Sequence, residues 1–306
     1  MKSGVVVLSR MACSDFLELT KPRINLLVLV TTWIGYALAP HQLNALGLLL
    51  NTLSGTACVV AGAGVLNQYC EWDLDAKMKR TAQRPLPSGR MHPFHALVFG
   101  VSLSIFGTLY LALSVNLLTS VLAILASITY VFVYTPLKTR TPLCTLAGAI
   151  PGAIPPLIGW AAVENALSFP AWLLFFIMFF WQLPHFLSLA ALYRDDYAQA
   201  GLRMLSVDDV TGRMTIRQMM HYTLALVIVS LLPTYFGISG LIYFSGALLL
   251  GLGLFWIVFR CAFSWADWNQ SQDDKALQVL RKNYRVFFHA TILYLPTLFI
   301  LMFLNH

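Results

Sequence analysis

Asn67, Glu71 and Asp75 lie four residues apart, and Arg80 and Arg84 repeat that step further along the chain. Positions i and i+4 share a face of an α-helix, so the spacing predicts a column of oxygen ligands followed by guanidinium groups. Mg²⁺ is a hard cation that takes one or two carboxylates and completes its shell with phosphates and waters. Guanidinium groups make paired hydrogen bonds to phosphate oxygens. The chemistry such a column serves is the binding of a metal-bound diphosphate. It closes a stretch, residues 24–70, that has no Asp, Glu, Lys or Arg. The column is therefore expected at the end of a membrane span, with a greasy group on the far end of the substrate. Asp73 is two residues from both Glu71 and Asp75, falls on another face and ranks below them.

A second acidic pair, Asp195 and Asp196, follows an apolar run containing Trp181, Gln182, Pro184 and His185. Two acidic segments on one membrane face suit a clamp on one diphosphate. Adjacent acids cannot be separated by spacing, so Asp196 is taken as the ligand and Asp195 as its alternate. Lys138, in Tyr-Thr-Pro-Leu-Lys, adds a point charge to the same face. A group that leaves a diphosphate inside a membrane is most naturally an allylic prenyl chain. Its departure makes a carbocation that needs a dry cavity, and aromatic faces stabilise cations. The 20 Phe, 12 Tyr and 8 Trp offer material for such a lining, although most membrane aromatics serve packing or the interface.

The elements that must hold these residues are set by hydropathy. The 306 residues are 58% hydrophobic and 11% charged, against about 25% charged in soluble domains, which makes this an integral membrane protein. Residues 91–137, 218–259 and 286–306 are also charge-free, and 141–193 carry only Glu164. With roughly 20 residues needed per span, these stretches predict an all-α polytopic fold of about nine helices. They are placed near 24–40, 45–66, 95–113, 117–136, 143–162, 170–190, 220–237, 241–260 and 286–304. The whole chain, 1–306, reads as one membrane domain, with 1–20 as a cytoplasmic N-terminal segment. Its brief apolar run Val5–Leu8 is too short for a signal-peptide core. The stretch 261–285, with Asp267, Asp273 and Asp274, reads as a solvated loop.

All 20 Lys and Arg fall in the N-terminal segment or in alternate loops, which by the positive-inside rule places the N-terminus and the charged loops in the cytoplasm. That distribution explains the net charge of +7 and argues against a nucleic-acid partner. Carboxylates contribute little to orientation, yet all the acids except Glu164 share this face, so they need another reason. The five cysteines form no CxxC pair, and a disulfide framework is not expected. Acids gathered at one face, rather than near mid-membrane, count against a carrier or channel.

The series Asn67-x3-Glu71-x2-Leu74-Asp75-x2-Met78-x-Arg80-Thr81-x2-Arg84-x4-Gly89 resembles the signature of the UbiA-type intramembrane prenyltransferases. Supporting segments are K-P-R-I-N-L-L-V-L at 21–29, Y-T-P-L-K at 134–138, P-G-A-I-P-P-L-I-G-W-A at 151–161, W-Q-L-P-H-F at 181–186 and D-Y-A-Q-A-G at 196–201. They run from Leu19 to about Thr215; beyond that only hydropathy matches. The G-A-I-P-P-L and P-H-F segments favour the haem branch over the quinone branches. Two departures stand out. Many relatives have Asp where this chain has Glu71, and a Pro before Met is common where this chain has Leu202-Arg203-Met204.

The resemblance implies nine helices around a central cavity in the bacterial inner membrane, with the active site toward the cytoplasm. It implies transfer of farnesyl from farnesyl diphosphate to a vinyl group of haem B, giving haem O. Mg²⁺ and diphosphate would be held by Asn67, Glu71, Asp75 and Asp196, or Asp195, with phosphate contacts from Arg80, Arg84 and Lys138. His185, near the cytoplasmic end of the sixth helix, becomes a candidate for haem binding, against the plainer reading of a packing histidine. Prenyl transfer to an aromatic quinone precursor shares the donor site and is the alternative. Membrane lipid, and haem A synthase or a terminal-oxidase assembly, would be the partners.

Overall fold

The computed structural model describes residues 13–40 and 46–305; the Val5–Leu8 run lies outside them. Among the described residues every regular element is helical. In chain order they are α1 (Cys13–Leu19), α2 (Pro22–Leu38), α3 (Leu46–Asp75), α4 (Pro93–Ser114), α5 (Leu117–Ile128), a π-helical turn (Thr129–Tyr134) and α6 (Thr135–Leu137). There follow α7 (Cys144–Ala153), α8 (Pro155–Glu164), α9 (Phe169–Leu192), α10 (Arg194–Gln199), α11 (Leu205–Asp208), α12 (Arg213–Tyr235), α13 (Leu241–Ser271) and α14 (Asp274–Leu304). Eight stretches are long and apolar enough to cross a membrane, counting 117–137 and 144–164 as one each. α2 is a shorter apolar helix of 17 residues, about 26 Å at 1.5 Å per residue. Large apolar side chains such as Leu113, Phe132 and Leu249 lie exposed along the spans, as a lipid-facing surface requires.

Two expected boundaries move. The second span does not end near residue 66 but continues to Asp75. No Gly or Pro interrupts 67–75, so polarity marks the membrane edge without ending the helix. Likewise 261–285 is no loop: α13 and α14 extend through it, broken only at Gln272 and Asp273. Gln272 takes a left-handed conformation (φ 51°), and the Asp273 carboxylate accepts from Lys275 N at 3.3 Å to start α14. Asp267, Asp273 and Asp274 are exposed on that hairpin.

The helices nearest the site are fixed by close contacts and breaks. Pro155 and Pro156 divide α7 from α8. α8 lies so close to α2 that a β-carbon on Gly159 would overlap Thr32 O, and one on Gly35 would overlap Pro156 O. Small residues permit such backbone approach in membrane bundles. Near the polar end, Met78, Cys144, Ala190, Tyr197, Ala200, Leu202 and Met204 form one buried cluster. This cluster ties the segment after α3 to the segment after α9, and so brings both acidic segments to one end of the bundle. A second cluster of Leu19, Val65, Leu86, Met91 and Ala96 ties α1 to α3 and α4.

Candidate active site

Because α3 is continuous to Asp75, Asn67, Glu71 and Asp75 do form a column, and all three are buried, at 1%, 7% and 1% exposure. Each is matched to a cation. Lys21 Nζ donates to Asn67 Oδ1 at 2.6 Å. Lys138 Nζ lies 2.6 Å from Glu71 Oε1 and donates to Oε2 at 3.0 Å. Arg84 Nη1 meets Asp75 Oδ2 at 2.7 Å. Thr81 Oγ1 donates to Asp75 O at 2.8 Å, closing the end of α3. Asp73 is exposed, off the column as its spacing predicts.

The opposite wall of the column is the π-helical turn and α6. Asn67 Nδ2 donates to Thr135 Oγ1 at 2.9 Å, and Thr135 in turn donates to Tyr130 O. Lys138 Nζ stands 4.6 Å from the Tyr134 ring centre and Lys21 Nζ 5.9 Å from that of Tyr130. Pro136 has no N–H to donate to the preceding turn. The wider turn just before it is the kind of helix irregularity found at functional sites. Burial works against the charged form of Lys138, but Tyr134 and Glu71 outweigh it and hold its pKa above the usual lysine value.

Two carboxylates, Glu71 and Asp75, thus face three cations, Lys21, Lys138 and Arg84, leaving the column one positive charge in excess. Arg80 adds a further charge at its edge, its guanidinium 5.6 Å from the Tyr193 ring at the end of α9. Asp196 begins one turn beyond Tyr193, is half-buried, and makes no ion pair among the described residues. Asp195 is 77% exposed and faces Arg281 at 3.6 Å, turned toward α14.

Among the described residues no three His, Cys, Asp or Glu side chains cluster as a ready-made metal cage. The donors nonetheless suit Mg²⁺ shared with a diphosphate. Glu71 Oε1 is buried without a well-directed hydrogen bond, and Arg84 engages only one Asp75 oxygen. Two such carboxylates are the usual protein share of a Mg²⁺ shell completed by phosphate and water.

α1 is strapped across this region. Arg90 bridges Asp15 and Glu18, the latter at 2.8 Å, and donates to Gln83 O at 2.7 Å. The hydrogen bond to Glu18 leads in raising its pKa above the ordinary arginine value. Gln68 Nε2 donates to Leu19 O at 2.8 Å. The strap delivers Lys21, in a left-handed conformation (φ 51°), to Asn67. These pairings account for four of the acids on this face, Asp15, Glu18, Glu71 and Asp75. Sequence reasoning missed Lys21, Tyr130 and Thr135. A lysine directly before Pro22, at the head of the first span, was the available signal for the first; nothing in the sequence signalled the π turn.

His185 stands apart from the column, on α9 against α14. Its ring lies between those of Trp181 and Phe288, and Nδ1 is 2.8 Å from Thr291 Oγ1.

A model of the UbiA prenyltransferase family matches residues 28–303. Protoheme IX farnesyltransferase of Solibacter usitatus (strain Ellin6076) is 44% identical over 300 residues, covering 95% of this chain and 98% of the relative. That of Koribacter versatilis (strain Ellin345) is 41% identical over 308 residues, covering 99% and 96%. Among solved structures, a digeranylgeranylglyceryl phosphate synthase superposes with a TM-score of 0.73 at 17% identity, covering 95% of this chain and 98% of that one. A UbiA homolog from Archaeoglobus fulgidus bound to DMAPP and Mg²⁺ gives 0.66 at 15%, covering 94% and 99%. At these identities the structures speak for the fold.

Proposed function

The chain belongs to the UbiA prenyltransferase family, and on that premise we propose that it transfers farnesyl from farnesyl diphosphate to a vinyl group of haem B. The protein is a membrane-embedded prenyltransferase. Farnesyl and haem follow from relatives at 40–46% identity that carry the name protoheme IX farnesyltransferase. The observation that carries the donor half is the buried column of Asn67, Glu71 and Asp75, faced by more cations than it has carboxylates.

Lys21, Lys138 and Arg84 hold the column, and each has hydrogen-bond donors to offer phosphate oxygens. Arg80, at the edge, guides the anion in. Glu71 and Asp75 on one side, and Asp196 from the facing segment on the other, would hold Mg²⁺, which would supply neutralisation of charge on the leaving diphosphate. Lys138 and Arg84 are preorganised cations near the oxygen where that charge appears. The allylic C–O bond breaks with its electron pair leaving on diphosphate. The vinyl carbon attacks the farnesyl cation, and water adds to the adjacent carbon and loses a proton, which gives haem O. No nucleophilic side chain is required. The positive charges share the face that the insertion rule assigns to the cytoplasm, which in a bacterial cell is the inner face of the inner membrane.

The test is incubation of the purified membrane protein with haem B, farnesyl diphosphate and Mg²⁺, read by mass spectrometry. Farnesylated haem is the expected product. Prenylation of a quinone precursor with no farnesylated haem would overturn the acceptor and keep the donor.

A further inference from the structure

Two neighbouring helices fix the orientation of His185. The ring stacks on Trp181, with centres 5.0 Å and planes 18° apart, and on Phe288, at 4.7 Å and 25°. Thr291 of α14 controls both sides of this arrangement. Its carbonyl accepts from Trp181 Nε1 at 2.7 Å, and its hydroxyl stands 2.8 Å from His185 Nδ1. The hydroxyl proton is already committed, because Oγ1 donates to Phe288 O at 2.6 Å. A hydroxyl has one proton, so toward His185 the same oxygen can only accept. Nδ1 therefore carries the hydrogen, and the neutral imidazole presents a lone pair at Nε2. No described residue offers Nε2 a hydrogen bond. This is the disposition of a metal-binding histidine: one nitrogen tied through its N–H to a partner that sets the tautomer, the other free to ligate.

We propose that His185 Nε2 is the axial ligand of the haem acceptor's iron and that Thr291 is its positioning residue. The assignment rests on the haem reading of the acceptor. The bond is a donation of the Nε2 lone pair to iron; no porphyrin bond changes, so both vinyl groups stay available. A single axial bond fixes the distance of the macrocycle from α9 and α14 but leaves rotation about the iron–nitrogen axis to other contacts. Toward the charged end of α14, Lys282 and Arg285 are exposed, cations of the kind haem propionates seek.

Haem titration without farnesyl diphosphate tests this, since its readout is independent of turnover. Wild-type protein with ferric haem B is expected to give Soret and electron paramagnetic resonance signatures of nitrogen ligation. His185→Ala should lose that signature and bind haem at least tenfold more weakly, and imidazole should restore the signature in His185→Gly. Thr291→Val should keep a nitrogen ligand with an altered spectrum. Unchanged binding of Mg²⁺–farnesyl diphosphate by each variant confirms that it is folded. An unaltered haem spectrum in His185→Ala, or no nitrogen ligand in wild type, overturns the assignment. Haem ligated through His185 but never farnesylated would keep the ligand and overturn the proposed reaction, so the two failures are distinct.

Discussion

Lys138 Nζ and Glu71 Oε1 lie 2.6 Å apart, 13% and 9% exposed at their side chains, and join α3 to the segment that follows the π turn. Removing one partner of a buried pair leaves an uncompensated charge, at a cost of about 3–5 kcal/mol. Lys138→Gln should therefore lower the melting temperature of the detergent-solubilised protein, and Glu71→Gln added to it should recover most of the loss. Turnover should stay low in both, because a preorganised donor to a developing anion is worth about 10²–10³ in rate. Recovery of activity along with stability in the double variant would show that the pair is only structural.

The acidic segments should separate cleanly by substitution. Asp75→Ala and Asp196→Ala are expected to abolish farnesyl transfer while the protein still inserts. Asp195→Asn should remain within about twofold of wild type, since its ion pair with Arg281 is exposed and such pairs contribute little. Turnover followed across a Mg²⁺ titration decides; an inactive Asp195→Asn beside an active Asp196→Ala would reverse the assignment.

Metal removal should stop the reaction without loosening the fold. Glu71 and Asp75 already have cationic partners in the structure, so no bare carboxylate awaits neutralisation. Chelation is expected to eliminate turnover and to shift the melting temperature by less than a few degrees. A large fall on chelation would mean that the cations do not substitute for the ion.

Arg90 should matter for the donor and not for the acceptor. It holds α1, and through α1 the lysine that reaches Asn67. Arg90→Ala is expected to raise KM for farnesyl diphosphate several-fold with KM for haem unchanged, and Arg90→Lys to restore part of the loss. Equal changes in both constants would point to general loosening.

Gly159→Ala places a methyl group against Thr32 O. Overpacking of this kind costs about 1–3 kcal/mol, so thermal stability should fall while KM for both substrates holds. A variant as stable as wild type would mean that α2 and α8 can move apart freely.

The helical fold and the column of Asn67, Glu71 and Asp75 were legible in the chain because their signals are local. Charge-free stretches mark spans, and four-residue spacing marks one helical face, so the alignment of Asn67, Glu71 and Asp75 is written in the chain itself. Lys21 lies 46 residues from Asn67 and Lys138 lies 67 from Glu71. The chain marks Lys138 as a candidate phosphate contact, while its pairing with Glu71 appears only in the fold. Pairing across such distances depends on how helices pack, which hydropathy does not encode. The strap of α1 was hidden for the same reason: Asp15, Glu18 and Arg90 look like ordinary surface charges until α1 folds over the loop. The extension of α13 and α14 through 261–285 was missed because polarity was taken as the end of a helix, when it marks only the end of the lipid.

A π-helical turn holds a residue that an α-helix of the same reach would not need. Deleting one residue within Thr129–Tyr134 would let the segment relax to α geometry at nearly the same reach, with Lys138 still brought to Glu71. The same deletion in the regular helix Leu117–Ile128 would turn everything after it by about 100° and swing Lys138 away, although every amino acid of the column was still present. Sequence comparison by residue identity would report such a protein as intact. The spare residue of this short turn is therefore slack in the inherited instruction for the site, and relatives should tolerate loss of a residue there but not in the helix before it.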